Sequence, residues 1–115
     1  RQDELFVLKG DTMPIGFPLD EMKNNFTTQT FDIAEGDMIY TFSDGYADQF
    51  GGPNGKKFMY KQFKEVLISM AQLPVDEQKI KLSEIFNNWI NYKDENGTTF
   101  EYEQIDDVLI IGIKI

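Results

Sequence analysis

The sequence contains no cysteine and no histidine among its 115 residues. The lack of cysteine excludes disulfide bonds and thiolate metal sites, and it fits a reducing cytoplasm, which is the compartment we expect. Without histidine the chain cannot assemble a serine-histidine or cysteine-histidine catalytic pair, and the usual zinc sites lose their commonest ligand. Oxygen donors, above all carboxylates, are therefore the main candidates for chemistry.

Basic residues are few as well, 11 lysines and arginines against 20 aspartates and glutamates, which gives a net charge of -9. Such a field repels phosphate backbones and anionic lipids, so we expect no nucleic-acid binding and no direct membrane contact. No apolar run reaches the roughly 20 residues of a membrane span, and the first ten residues are too polar for a signal peptide. The length fits a single small domain over residues 1–115.

The front half has the composition of strands. Residues 4–8 (ELFVL) form a short apolar run, and residues 26–33 (FTTQTFDI) are rich in β-branched and aromatic side chains. After a Glu-Gly-Asp turn at 35–37, residues 38–43 (MIYTFS) form a nearly continuous apolar strand, which predicts burial on both faces. The last ten residues, 106–115 (DDVLIIGIKI), are likewise predicted to contain a buried strand.

The middle of the chain changes to a helical period. Apolar residues at helical spacing predict one helix over about residues 58–71 and a second over about 76–91. Pro74 separates the two helices and Asp76 is a candidate N-cap. The Asn-Gly pair at 96–97 predicts a tight turn. Strands, two helices and a final strand together predict an α+β fold with the helices packed on a sheet.

Two familiar ligand-binding motifs are excluded, the phosphate-binding loop by its spacing and the EF-hand by a residue type. Gly51 and Gly55 enclose three residues where a phosphate-binding loop needs four, and Lys57 stands where a hydroxyl should bind magnesium. An EF-hand aligned on Gly97 would begin at Tyr92, which cannot replace the required carboxylate. The glycine-rich stretch is therefore interpreted as a turn that leads into the first helix.

Aspartates stand at the ends of two predicted strands. Asp44 follows the strand at 38–43, Gly45 allows a sharp turn and close approach to a ligand, and Asp106 and Asp107 precede the last strand. If these strands are antiparallel neighbours, the carboxylates meet at one rim, where a hard cation such as Mg²⁺ or Mn²⁺ would offset their repulsion. From these residues alone, ordinary turn aspartates are the commoner explanation.

Two further polar residues have competing interpretations. Asp48 is either a water-mediated contact of this rim or, more simply, a solvent-exposed turn acid. Gln104 either orients Asp106 or is an ordinary glutamine at a strand edge.

Two stretches resemble one family. Residues 36–52 (GDMIYTFSDGYADQFGG) resemble the segment of PPM-type (protein phosphatase 2C-like) serine/threonine phosphatases in which a strand runs into an Asp-Gly metal motif, and residues 103–115 (EQIDDVLIIGIKI) resemble the closing motif of that family. The bacterial SpoIIE-like branch matches best, through Pro14, Ile15 and Gly16 followed by the Gly-Asp turn at 36–37. The resemblance covers almost the whole chain.

The resemblance implies a fold and a chemistry. The family's fold is a sandwich of two antiparallel sheets flanked by helices, and two Mg²⁺ or Mn²⁺ ions activate water for attack on phosphoserine or phosphothreonine. Asp44 and Asp106 match metal-binding aspartates, and Asp107 matches a position that varies between aspartate and asparagine. The family's Asp-x-x-Gly-His-Gly half has no counterpart here. We therefore expect the C-terminal portion of such a domain, inactive alone.

The resemblance also implies partners. The substrate would be a phosphoserine or phosphothreonine protein, for which an anti-anti-sigma-type protein is a candidate, and Lys56 and Lys57 either meet that substrate or are an exposed helix start. We expect a homo-oligomer or association with the missing half, in the cytoplasm or as the output domain of a larger, membrane-anchored sensor. The alternatives are a non-catalytic phosphatase-like interaction or sensing module and an unrelated cation-binding domain.

Overall fold

The computed structural model describes residue 1, residues 3–13 and residues 26–115. The motif at Pro14, Ile15 and Gly16 lies outside the described residues. In chain order the elements are β1 (Met38–Phe42), α1 (Gly45–Asp48), β2 (Phe50–Gly51), β3 (Lys56–Lys57), α2 (Tyr60–Met70), α3 (Val75–Ile90), β4 (Asn91–Lys93), β5 (Thr99–Glu101) and β6 (Ile110–Lys114). This mixture confirms the predicted α+β class.

The strands form antiparallel pairs, β1 with β6, β2 with β3 and β4 with β5. In the first pair Met38 lies opposite Lys114 and Phe42 opposite Ile110. The condition set for the acidic strand ends, that these two strands are antiparallel neighbours, is therefore met, and the end of β1 lies beside the start of β6. The β4–β5 hairpin turns where the Asn-Gly pair predicted it, with Gly97 at a φ of 83°.

Both predicted helices are confirmed, but the cap assigned to α3 is wrong. Pro74 occupies the N-cap position, and Asp76 lies in the first turn, where it makes no capping bond. Pro74 is extended, with a ψ of 144°, so the helix begins directly after it. Asp76 still suits this position because the positive end of the helix dipole favours an acidic side chain.

An aromatic cluster forms the core. The buried Tyr46 ring of α1 lies 5.2 Å from the ring of Phe58, 4.8 Å from that of Phe63 in α2 and 5.1 Å from that of Phe86 in α3. Tyr46 is therefore the central contact between the short helix that follows β1 and the two long helices. The 3.6-residue period of the sequence is explained by this packing, since Phe63, Leu67 and Met70 of α2 are all buried.

The strands predicted at residues 4–8 and 26–33 are not found. The two segments contact each other through side chains: the rings of Phe6 and Phe31 lie 5.0 Å apart, and the Gln29 side-chain amide donates to the Lys9 carbonyl at 2.6 Å. Within the described residues no backbone ladder joins them. Their apolar side chains stay largely exposed, with Val7 at 60% and Phe26 at 55%, so the strand-like composition is not matched by strand pairing or by burial among the described residues.

The predicted burial of β1 and β6 on both faces is also wrong. Tyr40 and Ile110 pack against the core, but Ile111 and Ile113 are 47% and 51% exposed. Within the described part of the chain, the helices cover only one face of this two-stranded sheet. No helix among the described residues is both long and apolar enough to cross a bilayer.

Candidate functional site at the ends of β1 and β6

Asp44 stands at the junction between β1 and α1. It occupies the N-cap position of α1, with φ −76° and ψ −13°, and its side chain makes no capping hydrogen bond. Its carbonyl accepts the first helical bond, from the Asp48 N–H at 2.9 Å. The backbone of Asp44 is thus fixed by the helix, while its carboxylate is not used to hold the helix end.

Ser43 joins the end of β1 to the acidic segment that precedes β6. Its hydroxyl donates to the Asp107 carbonyl at 3.0 Å and accepts from the Leu109 N–H at 3.0 Å. Its own N–H donates to the Leu109 carbonyl at 2.9 Å. Three hydrogen bonds of a residue adjacent to Asp44 therefore hold residues 107–109, which directly follow Asp106, at this strand end. Ser43 has no signal in the sequence, because only the pairing of β1 with β6 reveals its partners.

Gly45 brings α1 against the same segment. A Cβ atom at this position would overlap the carbonyl oxygen of Asp107 and would lie 2.9 Å from its carbonyl carbon and 3.3 Å from a methyl group of Val108. Gly45 is the first residue of α1 and is not among the described glycines with positive φ. A glycine is therefore required here because two backbone segments approach closely, and not because of a positive φ.

Asp106 has local hydrogen-bond partners. Its carboxylate accepts from the Asp107 N–H at 2.8 Å, and the Gln104 amide donates to its main-chain carbonyl at 2.9 Å. Gln104 thus fixes the backbone of this segment and does not contact the Asp106 carboxylate. The second carboxylate oxygen of Asp106 makes no side-chain hydrogen bond within the described residues.

Asp48 lies on α1, one turn after Asp44, and forms an ion pair with Lys57 of β3 at 2.9 Å. Both side chains are partly exposed, so the pair contributes little to stability. It brings the Lys57 ammonium to the short helix that begins after Asp44. A water-mediated contact between Asp48 and a cation stays a prediction.

Tyr60, the first residue of α2, was also missed. Partial burial raises the pKa of its phenol, and the negative charges of Asp44 and Asp48 raise it further, while Lys57 opposes them. The phenol therefore lies within electrostatic reach of both carboxylates. The sequence gives no signal that Tyr60 lies near these carboxylates, since it is 16 residues from Asp44 along the chain and is brought to it by the fold.

The rim alone does not amount to a metal site. Among the described residues no group of three or more acidic, histidine or cysteine side chains could hold a metal ion. Asp44, Asp106 and Asp107 offer the oxygen donors that Mg²⁺ and Mn²⁺ prefer, but each ion needs about six ligands. The described residues therefore do not form a complete cation site by themselves.

Comparisons with known proteins identify a family and a fold. A family model described as Stage II sporulation protein E (SpoIIE) matches residues 1–115. The structure is similar to the SiaA-PP2C domain of Pseudomonas aeruginosa, with a TM-score of 0.65 and 24% identity over 81% of this chain. The chain spans 34% of the length of that neighbour. No curated protein matches the sequence. The structural likeness confirms the predicted fold relationship to PP2C-type domains.

Proposed function

Because the chain belongs to the SpoIIE family, we propose that it is part of a metal-dependent protein phosphatase that hydrolyses phosphoserine or phosphothreonine in bacterial signal transduction. The observation that supports this most directly is the antiparallel pairing of β1 and β6. That pairing brings the strand end that carries Asp44 to the segment that carries Asp106 and Asp107. Two widely separated parts of the sequence thereby contribute acids to one rim.

Asp44 and Asp106 would be the metal ligands contributed by this chain, with Asp107 as a further oxygen donor. Mg²⁺ or Mn²⁺ bound there would supply Lewis-acid chemistry at the phosphoryl group. The described residues offer too few ligands for two ions, so we propose that the remaining ligands come from a part of the domain that this chain does not contain. On this proposal the chain is inactive alone and needs that part for activity.

The chain's own residues would position the acids. The hydrogen bonds of Ser43 and the close contact at Gly45 hold the two acidic segments together despite the repulsion between like charges. A rim that is already assembled costs less conformational entropy when a cation binds. Gln104 would act as a positioning residue because it fixes the main chain of Asp106.

The decisive experiment uses a longer chain that also includes the family's Asp-x-x-Gly-His-Gly half. Asp44→Asn should lower hydrolysis of a phosphoserine peptide in Mn²⁺ by about 100-fold or more, since even the loss of residues that only support a ligand costs about 10–100-fold. Asp76→Asn is the matched control, because it removes the same charge from the first turn of α3. Unchanged activity and unchanged Mn²⁺ affinity in Asp44→Asn would refute the assignment.

One observation favours a second candidate. The absence of a three-ligand group among the described residues suits a non-catalytic phosphatase-like module that serves interaction or sensing. The same experiment separates the two functions, because a module of this kind would leave the longer chain without Mn²⁺-dependent hydrolysis. For the phosphatase, the substrate would be a phosphorylated regulatory protein, with an anti-anti-sigma-type protein as one candidate.

A further inference from the structure

An open concavity of about 620 Å³ lies beside the β2–β3 hairpin and the first turn of α2. Its charged lining residues are Lys56, Lys57 and Lys61, opposed by Glu65 alone. We call this surface the lysine concavity. The whole chain carries a net charge of -9 with only 11 basic residues. Three lysines in one small concavity therefore give this part of the surface a positive charge, opposite in sign to that of the whole chain.

Close packing shapes the wall of the lysine concavity. A Cβ atom at Gly51 would overlap the carbonyl oxygen of Trp89, and the Gly52 N–H donates to that carbonyl at 2.8 Å. The Trp89 indole N–H donates to the Gln49 carbonyl at 3.0 Å, and its ring meets the buried ring of Phe58 edge-on at 5.2 Å. The hairpin is therefore docked on α3 through backbone contacts, and the concavity is formed before any ligand binds.

The lysine concavity borders the acidic rim. Lys57 lines the concavity and forms the 2.9 Å ion pair with Asp48, which lies one turn after Asp44 on α1. Met59, which also lines the concavity, donates its N–H to the Ala47 carbonyl of α1 at 2.8 Å, and the ring of the next residue, Tyr60, lies 6.2 Å from that of Phe42 at the end of β1. A ligand in the concavity would thus lie next to the strand end that carries Asp44.

We propose that the lysine concavity binds an acidic segment of the protein substrate, next to the phosphorylated residue that the rim would receive. The proposal rests on the proposed phosphatase function for the identity of that substrate. The exposed ammonium groups of Lys56 and Lys61 attract carboxylates, and the volume lies within the range of small ligand sites, about 300–1,000 Å³. The negative field of the remaining surface disfavours a long polyanion such as nucleic acid.

The single tryptophan of the chain makes a direct test possible, because Trp89 lines the lysine concavity. The 115-residue chain is titrated with a phosphoserine peptide flanked by glutamates, and with the same peptide carrying glutamines instead. The glutamate peptide should change the Trp89 fluorescence and bind more weakly as salt increases. Lys56→Glu with Lys61→Glu should weaken binding by roughly tenfold or more.

The control carries the same charge reversal on exposed lysines of α3, Lys79→Glu with Lys81→Glu. It should bind the glutamate peptide like the unchanged chain. Lys56→Gln with Lys61→Gln provides a milder variant, and circular dichroism confirms that each variant is folded. Lys57 is left unchanged because of its ion pair with Asp48.

Equal binding of the glutamate and glutamine peptides would overturn the proposal, as would equal weakening in the α3 control. Tighter binding of a short DNA oligomer or of phosphatidylserine vesicles at the same lysines would overturn the choice of an acidic protein segment. Fluorescence needs no catalytic turnover. A longer chain without Mn²⁺-dependent hydrolysis would therefore refute the phosphatase function separately, while selective peptide binding would still support the concavity as an acidic-segment site.

Discussion

Asp37, in the turn before β1, is held by an unusual number of hydrogen bonds for a turn acid. Its carboxylate accepts two bonds from the Arg1 guanidinium, at 2.9 and 2.7 Å, and one from the Ala34 N–H at 2.8 Å. The hydrogen bonds from Arg1 and then from Ala34 lower the pKa of Asp37 from 3.8 to about 2. Because the folded-state pKa is depressed, the carboxylate stabilises the fold above its ordinary pKa, and this contribution disappears as pH falls.

This shift predicts a specific acid dependence. The Asp37 contribution should be complete above about pH 4 and should be lost as pH falls through the interval from 3.8 to about 2. Asp37→Asn should therefore unfold at lower urea than the unchanged chain at pH 6, with the difference narrowing toward pH 2. Asp76→Asn, in the first turn of α3, is the control for loss of one charge. A difference between Asp37→Asn and the unchanged chain that stays constant from pH 6 to pH 2 would contradict the role given to Asp37.

At the scale of elements, the contact between α1 and the segment before β6 determines the geometry of the rim. This contact is a backbone approach at Gly45, reinforced by the hydrogen bonds of Ser43. A side chain at Gly45 would meet backbone atoms of Asp107, which cannot move aside as the end of a flexible side chain could. The geometry of the rim should therefore change when a single methyl group is added at Gly45.

We predict that Gly45→Ala destabilises the chain by about 1–3 kcal/mol, the usual cost of overpacking, and weakens binding of Mn²⁺ in the longer chain. Urea denaturation measures the first effect and calorimetric titration the second. Gly10→Ala is the matched control, because a Cβ atom there meets nothing within 4 Å and its φ is not positive. If Gly45→Ala is as stable as Gly10→Ala, the close approach does not constrain this element.

The secondary-structure elements differ in how well the sequence predicts them. Helices α2 and α3 follow from apolar periodicity, because one face of each packs on the core and the pattern encodes that face. Residues 4–8 and 26–33 have the composition of strands but no ladder partner among the described residues, and composition cannot supply one. The exposure of Ile113 could not be predicted for a related reason. An apolar run shows that burial of its side chains is favourable, but whether a second layer of structure covers those side chains depends on the tertiary structure.

The candidate rim was partly foreseeable. Asp44, Asp106 and Asp107 stand at strand ends, and the assumption of antiparallel neighbours was enough to predict that those ends meet. Ser43 and Tyr60 have no such local signature, since their roles depend on hydrogen bonds and charges from distant residues. Gln104 was suggested as a partner of Asp106, and the structure shows that it reaches the main-chain carbonyl.

At the scale of the whole molecule, no described helix covers the outer face of the β1–β6 sheet, and exposed apolar side chains lie on β6 and on the residue just before it. Leu109, Ile111 and Ile113 alternate with residues that face the helices, and their exposed fractions are 59%, 47% and 51%. Within the described residues β1 and β6 each have a ladder neighbour on one side only. An exposed apolar face beside unpaired strand edges favours association.

We therefore predict that the chain self-associates, or associates with the rest of the domain when that part is added. The average mass from light scattering should rise with concentration at about 0.15 M salt, where charges more than about 8 Å apart are screened and the net charge of -9 opposes contact less. Ile111→Lys with Ile113→Lys should weaken association by tenfold or more, because burying each isoleucine contributes about 1.5–3 kcal/mol. Ile80→Lys, on α3 and 57% exposed, is the control and should leave association intact. A monomer at every concentration would show that this face is stable in water without a partner.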